Sequence, residues 1–281
     1  MSYPSKDTVK DFYDERIGGK LRDFTEFNPR IESAIDALAA WAPANPKRIL
    51  EIGCGIGATT WRMAKAWPEA EVIGADISPK SIEVAKTCFQ LPNLSYRQGL
   101  VEPGSISGTF DYIVLMDVYE HISVEDRPVL HQALRSLMGP NSRVFFSVPT
   151  PACQQYARDY DPSGLQPVDE DVGPVEASKA AEECAALLLF YRIAGIWRLG
   201  DYAYFVIGRF KGLGENETKV ERPMSLRRIL HSIAWRFTKK WFVADPPRLG
   251  DPFSVNYQNV SERFKVPQRL RLILASKWKG E

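Results

Sequence analysis

Three glycines at alternate positions form the most informative chemical pattern in the chain. Gly53, Gly55 and Gly57 directly follow the strand predicted at residues 48–52. Because glycine has no Cβ, the backbone can turn tightly from a strand into a helix, and a ligand can lie against it. The spacing Gly53-x-Gly55-x-x-Ala58 also fits the fingerprint in which a helix N-terminus holds a pyrophosphate. The pattern predicts a nucleoside site and, by itself, leaves the charge of the ligand open.

Two carboxylates flank this bend. Glu51 lies just before the glycines, and Asp76 ends the next predicted strand. A carboxylate at Glu51 is unfavourable beside a pyrophosphate but suits the cationic methionine part of S-adenosylmethionine (SAM). Asp76 can accept both hydroxyls of a ribose, which either nucleoside ligand requires. The chain also has no Tyr-x-x-x-Lys pair. These features favour SAM, with a nicotinamide-dependent oxidoreductase as the alternative.

Asp117 and His121 follow the strand predicted at residues 111–116. Open α/β sheets bind their ligands at the carboxyl ends of the strands. A hydroxyl that accepts a methyl group must lose its proton, and a neutral imidazole is a suitable base near neutral pH. We therefore predict His121 as a general base. The alternative is that His121 only caps or packs this segment.

The elements that must position these residues alternate between strands and helices. Strands are predicted at 48–52, 71–75, 94–97, 111–116, 143–148, 193–197 and 202–210, and helices at 5–16, after Asn28-Pro29, at 59–66, after Ser78-Pro79, at 127–137 and at 176–190. Such alternation is typical of a parallel sheet with crossover helices. The last two strands are joined only by Leu199-Gly200-Asp201, so they must be antiparallel. The predicted fold is α/β, with a Rossmann-like seven-stranded mostly parallel sheet, an antiparallel terminal hairpin and helices on both faces.

The chain divides into three predicted parts: an N-terminal helical lid at 1–45, a SAM-binding domain at 46–211 and a basic extension at 212–281. From residue 212 onward there are 14 Lys and Arg against 7 Asp and Glu, which leaves the first 211 residues with a net charge of −6. The extension is expected to pack on the body or on a second subunit, as in a homodimer. Contact with an anionic membrane surface and binding of nucleic acid are the alternatives.

Within the central domain, residues 149–173 form a long, polar, proline-rich stretch. Long loops near a ligand site are usually functional or disordered. Four residues of this stretch are candidates for contact with a polyol: Tyr156, Arg158, Tyr160 and Asp161. His131, in a predicted amphipathic helix, is expected to face solvent.

The quoted motifs resemble those of class I SAM-dependent methyltransferases over about residues 28–210. Glu51-x-Gly53-x-Gly55-x-Gly57 resembles the first motif of that family, Val72 to Ser78 the second, and Phe110 to Ile122 the fourth. The resemblance implies that the glycine loop, including Cys54, faces the methionine and ribose of SAM. It also implies that Asp76 binds the ribose hydroxyls and that Ile77 packs on adenine.

One position departs from the family pattern. Leu100 stands where the family usually has an acidic residue that accepts the adenine amino group. Adenine is then expected to depend on backbone groups near Leu100 and Val101, or on Gln98 or Glu102. In similar enzymes the N-terminal segment covers the cofactor, and related phosphobase methyltransferases pair a lid tyrosine with a histidine at the position of His121. Tyr13 is the candidate for that role, and a packed surface tyrosine is the alternative.

Composition bounds the remaining possibilities. Cys54, Cys88, Cys153 and Cys184 lie far apart without a CxxC pair, which argues against zinc and against a disulfide framework. The first residues contain no apolar signal-peptide core, so a cytoplasmic protein is expected. The preferred hypothesis is SAM-dependent methylation of a hydroxyl, or less favourably an amine, on a sugar, glycan or other small metabolite. A SAM-binding regulator without catalysis is the alternative from a different functional class.

Overall fold

A computed structural model of the chain describes residue 3 and residues 5–25 and 28–209. The basic extension predicted at 212–281 lies outside the described residues. No helix in the described part of the chain has the length and apolar character needed to cross a bilayer.

A single seven-stranded sheet organises the fold. Its strands are β1 (Arg48–Ile52), β2 (Glu71–Asp76), β3 (Leu94–Gln98), β4 (Phe110–Met116), β5 (Met138–Pro149), β6 (Leu187–Ala194) and β7 (Tyr202–Gly208). Their spatial order is β3-β2-β1-β4-β5-β7-β6. The pairs among β1 to β5 are parallel, whereas β7 is antiparallel to both β5 and β6. The predicted fold class is confirmed.

Eight helices surround this sheet in the described residues. They are α1 (Lys6–Glu15), α2 (Ile17–Thr25), α3 (Pro29–Trp41), α4 (Ala58–Ala66), α5 (Pro79–Cys88), α6 (Arg127–Leu137), α7 (Pro151–Tyr160) and α8 (Pro174–Glu183). The predicted starts of α3 and α5 are confirmed, because the side chains of Asn28 and Ser78 accept backbone N–H groups just before a proline at the first helical position. Helix α2 was not predicted, since Gly18 and Gly19 are poor helix formers.

Alternation along β4 divides the core into two layers. Tyr112 and Val114 pack on the face covered by α3 and α4, while Ile113 and Leu115 pack on the face covered by α6 and α8. All four side chains are fully buried. Burial of an apolar side chain contributes ~1.5–3 kcal/mol to stability, so this strand anchors both layers. The two layers hold the carboxyl end of β4 fixed, which is where the predicted catalytic residues begin.

Three predictions about residues 149–197 are wrong. The helix predicted at 176–190 ends at Glu183, and residues 187–194 form β6 instead of the strand predicted at 193–197. Ala185, which has φ +51°, breaks the helix, and a short apolar run is ambiguous between helix and strand. The loop predicted at 149–173 contains helix α7, which begins because Thr150 caps it before Pro151.

Candidate functional site

One cavity of about 600 Å³ lies at the carboxyl ends of β1, β2 and β4. This volume is within the range of small-molecule sites, about 300–1,000 Å³. The predicted site residues that line it are Tyr13, Glu51, Gly53, Cys54, Gly55, Asp76, Ile77, Leu100, Asp117 and His121. The structure thus brings together residues separated by more than a hundred positions in the sequence.

The glycine bend approaches its neighbours too closely for a side chain. Gly53 has φ +74°, and a Cβ added there would lie 2.3 Å from Cγ2 of Val118. The Gly53 N–H donates to the carbonyl of Ala75 over 2.7 Å, which holds the bend against β2. Gly55 also has a positive φ, +53°. Glycine is therefore required here by backbone conformation and by space.

Gly57 departs from the predicted set, because it is not among the residues that line the cavity. It has φ +85° and precedes α4 as its N-cap. The Tyr96 hydroxyl donates to its carbonyl over 3.2 Å, and a Cβ at Gly57 would lie 2.6 Å from that hydroxyl oxygen. Its glycine is explained by packing at the start of the helix.

Asp76 is buried, and both of its carboxylate oxygens face backbone donors. Oδ2 accepts the Gly55 N–H over 2.7 Å, and Oδ1 accepts the Ser78 N–H over 2.8 Å. A carboxylate oxygen can accept two hydrogen bonds, so each keeps capacity for a further donor. The arrangement fixes the carboxylate on the glycine bend and suits it to bind a pair of hydroxyls.

Glu51 is enclosed in the floor of the site. The Thr60 hydroxyl donates to its carboxylate, and burial raises its pKa to about 8. Without a cation beside it, this carboxyl therefore holds a proton at neutral pH. A positively charged ligand in the cavity would favour the ionised form. Burial also raises the pKa of the adjacent Cys54 thiol, so Cys54 contributes a neutral wall to the cavity.

The predicted adenine side of the cavity is apolar. Leu100 has 42% of its surface exposed and lines the cavity together with Ile77 and Val101. Gln98, one of the predicted alternatives for binding adenine, is absent from the cavity lining, whereas Glu102 is present. These apolar side chains offer a surface on which a flat ring can pack.

His121 lies on a 3₁₀ turn, Tyr119–His121, that follows β4. Its Nδ1 is 2.9 Å from Oδ1 of Asp169 and 2.9 Å from the carbonyl oxygen of Val168. Its Nε2 is 3.6 Å from Oε1 of Glu120, beyond a normal hydrogen bond. The Nδ1–H is thereby held by two acceptors, which leaves Nε2 to carry the lone pair of the neutral ring.

The charges around His121 determine its protonation. Burial alone lowers the pKa of this imidazole, but the carboxylates of Glu120 and Asp169 outweigh burial and raise it above the ordinary value. Burial likewise raises the pKa of Glu120, against the opposing effect of the His121 cation. The two carboxylates therefore favour uptake of a proton by His121, and Asp169 fixes the ring in one orientation.

Tyr13 reaches this turn from helix α1. Its ring centre is 6.5 Å from that of His121, at an interplanar angle of 63°. Burial, followed by the carboxylate of Glu120, raises the pKa of the phenol, so its hydroxyl stays protonated. The predicted juxtaposition of Tyr13 and His121 is present, which argues against a surface tyrosine.

Asp117 adopts φ +53°, a backbone conformation that residues other than glycine rarely take. Its carboxylate accepts hydrogen bonds from Arg30 in α3 and from the Ser147 hydroxyl, the latter over 3.2 Å. The ion pair with Arg30 ties the N-terminal helices to β4 inside the cavity.

Several residues of the site were not predicted from the sequence. Arg30 and Lys20 line the cavity from α3 and α2, and Asp169 orients His121 from the loop before α8. Each depends on a contact between distant segments, and no local motif marks it. The only sequence feature that bears on these residues is the helix start at Asn28-Pro29. It places Arg30 in the first turn of α3 but does not predict its contact with Asp117.

Other predicted contacts lie elsewhere. None of the four polyol candidates, Tyr156, Arg158, Tyr160 and Asp161, lines the main cavity. The prediction that His131 faces solvent is wrong. It is 2% exposed, its Nε2 lies 2.9 Å from the Tyr119 hydroxyl and its Nδ1 lies 2.6 Å from Glu183. His131 lies in α6, which also packs against α8. The amphipathic pattern of α6 did not predict this second buried face.

Among the described residues, no group of three or more His, Cys, Asp or Glu side chains is arranged to hold a metal ion.

Comparison with known proteins identifies the family. A family profile described as a methyltransferase domain matches residues 24–183. A ubiquinone biosynthesis O-methyltransferase of Mesorhizobium japonicum is 39% identical over 117 residues, which are 37% of this chain and 46% of that protein. A malonyl-[acyl-carrier protein] O-methyltransferase of Halalkalibacterium halodurans is 33% identical over 124 residues, which are 42% of this chain and 45% of that protein. The chain spans about half the length of the curated relatives it matches.

Solved structures show the same fold. A magnesium protoporphyrin IX methyltransferase from Synechocystis, with S-adenosylhomocysteine (SAH) bound, has a TM-score of 0.58 and 18% sequence identity. The alignment covers 73% of this chain and 99% of that one.

Proposed function

This chain belongs to the family of SAM-dependent methyltransferases, and from that premise we propose that it methylates a hydroxyl, or less favourably an amine, of a sugar, glycan or other small metabolite. The observation that carries the proposal is the continuity of one cavity from Asp76 to His121. A nucleoside held at one end therefore shares the space with a candidate base at the other. Family membership decides against the nicotinamide-dependent alternative.

The residues present fit SAM. Asp76 has acceptor capacity for ribose hydroxyls, Gly53 and Gly55 line the cavity with backbone atoms alone, and buried Glu51 gains from a nearby positive charge. Leu100 and Ile77 supply apolar surfaces for a base. When bound, SAM supplies an electrophilic methyl group on a sulfonium.

His121 is proposed to remove the proton from the acceptor hydroxyl. Its neutral form carries the lone pair on Nε2, because Asp169 and Val168 hold the Nδ1–H. As the proton is taken up, the positive charge on the ring is stabilised by the carboxylate of Asp169, 2.9 Å away. General-base catalysis of this kind typically contributes about 10²–10⁴-fold in rate.

The N-terminal segment is proposed to align the reactants and to exclude water. Tyr13 covers the His121 side of the cavity, and the Tyr3 hydroxyl donates to Glu170 over 2.5 Å, so the lid contacts the loop that carries Asp169. Because methyl transfer depends mainly on the alignment of acceptor, methyl group and sulfur, such closure would raise the rate. These contacts support a lid role for the first part of the proposed segment 1–45, whereas α3, which belongs to the same segment, packs in the core.

An oxygen acceptor is favoured by two observations. The curated relatives named above are both O-methyltransferases, and a base that takes up the acceptor's proton is needed for a hydroxyl more than for a neutral amine. Polar groups of Arg30, Asp117 and Gln166 line the cavity and suit a polar small molecule. We further propose a cytoplasmic enzyme whose extension at 212–281 packs on the body, a second subunit or an anionic membrane surface.

The proposal is tested by turnover with methyl-labelled SAM. The purified full chain is incubated with a panel of sugars, phenols, amines and carboxylates, and label transferred to each acceptor is counted. We expect transfer to a hydroxyl compound, dependent on His121. Transfer only to carboxylates would contradict the acceptor assignment, and SAM binding without transfer to any acceptor would favour the regulator.

A further inference from the structure

Three cationic side chains line the main cavity: Lys20, Arg30 and Arg62. Arg30 pairs with Asp117, and Arg62 pairs with both carboxylate oxygens of Glu32 at 2.7 and 2.8 Å. Lys20 differs from both, since its ammonium makes no hydrogen bond and no ion pair within 4 Å to any residue that the structure describes. The cavity therefore contains one positive charge without a matching anion in that part of the chain.

Lys20 lies directly on the glycine bend. Its Nζ is 3.2 Å from the position that a Cβ on Gly55 would take, and its Cδ and Cε are 3.6 and 3.7 Å from the same point. The ammonium is also 5.1 Å from the ring centre of Tyr13. The absence of a side chain at Gly55 is what gives the lysine, carried by α2, access to the bend.

The nearby acidic groups do not neutralise this charge. Burial raises the pKa of Glu51 to about 8, so this group holds a proton at neutral pH. Asp76 already accepts two backbone N–H groups, from Gly55 and Ser78, and forms no ion pair with Lys20. An unmatched cation in a cavity of low dielectric constant favours a bound anion.

We propose that Lys20 binds the α-carboxylate of the methionine part of SAM and thereby couples helix α2 of the lid to the occupied cavity. The inference rests on the proposed function, because the family resemblance assigns the methionine part to the glycine bend. The α-carboxylate of SAM then acts as the counterion of Lys20. The ammonium and sulfonium groups of SAM are positively charged and would be stabilised by Glu51. SAH carries the same carboxylate and should depend on Lys20 equally.

Binding measurements with three ligands test this role. Dissociation constants for SAM, SAH and 5′-methylthioadenosine, which retains the nucleoside and thioether but lacks the carboxylate, are measured by calorimetry on the full chain. We expect Lys20→Met to weaken SAM and SAH by roughly tenfold to a hundredfold, as for loss of a charged hydrogen bond, and to leave 5′-methylthioadenosine unchanged. Lys20→Arg should restore most of the affinity.

The matched control is Lys65→Met, which removes the same charge from an exposed position on α4 outside the cavity lining. This variant should bind all three ligands as the wild-type chain does.

Equally weaker binding of all three ligands by Lys20→Met would overturn the inference, because it would indicate a general distortion of the cavity. Unchanged SAM binding would overturn it as well. Selective loss with Arg30→Met instead of Lys20→Met would assign the carboxylate to Arg30. If the wild-type chain bound 5′-methylthioadenosine but neither SAM nor SAH, the carboxylate assignment would fail while the nucleoside site survived. No binding of any ligand would overturn the proposed function itself and this inference with it.

Discussion

The two ends of the cavity are built in different ways. The proposed nucleoside end, residues 51–55 with Asp76, is held by hydrogen bonds from the backbone of the bend, with Gly53 N–H donating to the Ala75 carbonyl and Gly55 N–H to the Asp76 carboxylate. The acceptor end, formed by Tyr13, Asp117 and His121, depends on side chains that meet partners in distant segments. A rigid backbone end can keep one cofactor while the other end changes its acceptor. Substitutions should therefore separate binding from turnover.

The largest effect is expected from His121→Ala at the acceptor end. Loss of the base should lower kcat by about 10²–10⁴-fold, while the dissociation constant for SAM stays within about twofold because the nucleoside end is untouched. Single-turnover assays and calorimetry measure the two quantities. Near-normal turnover with intact SAM binding would assign His121 to packing only and remove the distinction between the two ends.

The reciprocal effect is expected from Asp76→Ala at the nucleoside end. The change removes the acceptor for Gly55 and Ser78 N–H groups and for the ribose, so SAM affinity should fall by roughly a hundredfold, as for loss of hydrogen bonds to a charged group. Glu71→Ala, at the exposed start of the same strand, is the control. Equal losses in both variants would indicate that β2 as a whole was disturbed.

The backbone character of the nucleoside end is tested by Gly53→Ala. The new methyl group would meet Val118, and the positive φ would add strain, so the free energy of unfolding should fall by about 2–4 kcal/mol. Thermal melting measures this loss. A double variant with Val118→Ala should recover only the steric part. Full stability in Gly53→Ala alone would show that the bend is less constrained than its geometry indicates.

A smaller effect should appear in the pH profile of Asp169→Asn. The carboxylates around His121 raise its pKa, so kcat should increase with pH through the ionisation of this raised group and level off above it. Removing one carboxylate lowers that pKa, so the rise in kcat should shift to lower pH and its plateau should fall. Asp171→Asn, whose exposed side chain pairs with Arg158, is the control. A profile that does not move would contradict the role of Asp169.

The same contrast explains what the sequence could predict. The glycine bend, Asp76 and the strand pattern are local, so the fold, and the residues of the proposed nucleoside end, could be predicted from contiguous motifs. Asp169, Arg30 and Lys20 are set by tertiary packing, and no spacing in the sequence connects them to His121 or Gly55. Even Gly57, which completes the motif, is explained by contact with Tyr96 and not by the cavity. The error at residues 184–190 has a related cause, because pairing of residues 187–194 with β7 overrides the local helical pattern.

The central claim is that one cavity holds the nucleoside at Asp76 and presents the reactive atom to His121. A crystal structure of the full chain with SAH tests it most directly. We predict that the ribose hydroxyls bond to the Asp76 carboxylate and that the sulfur faces the side of the cavity lined by Tyr13 and His121. SAH bound elsewhere, or bound in this cavity with its sulfur directed away from His121, would contradict the account.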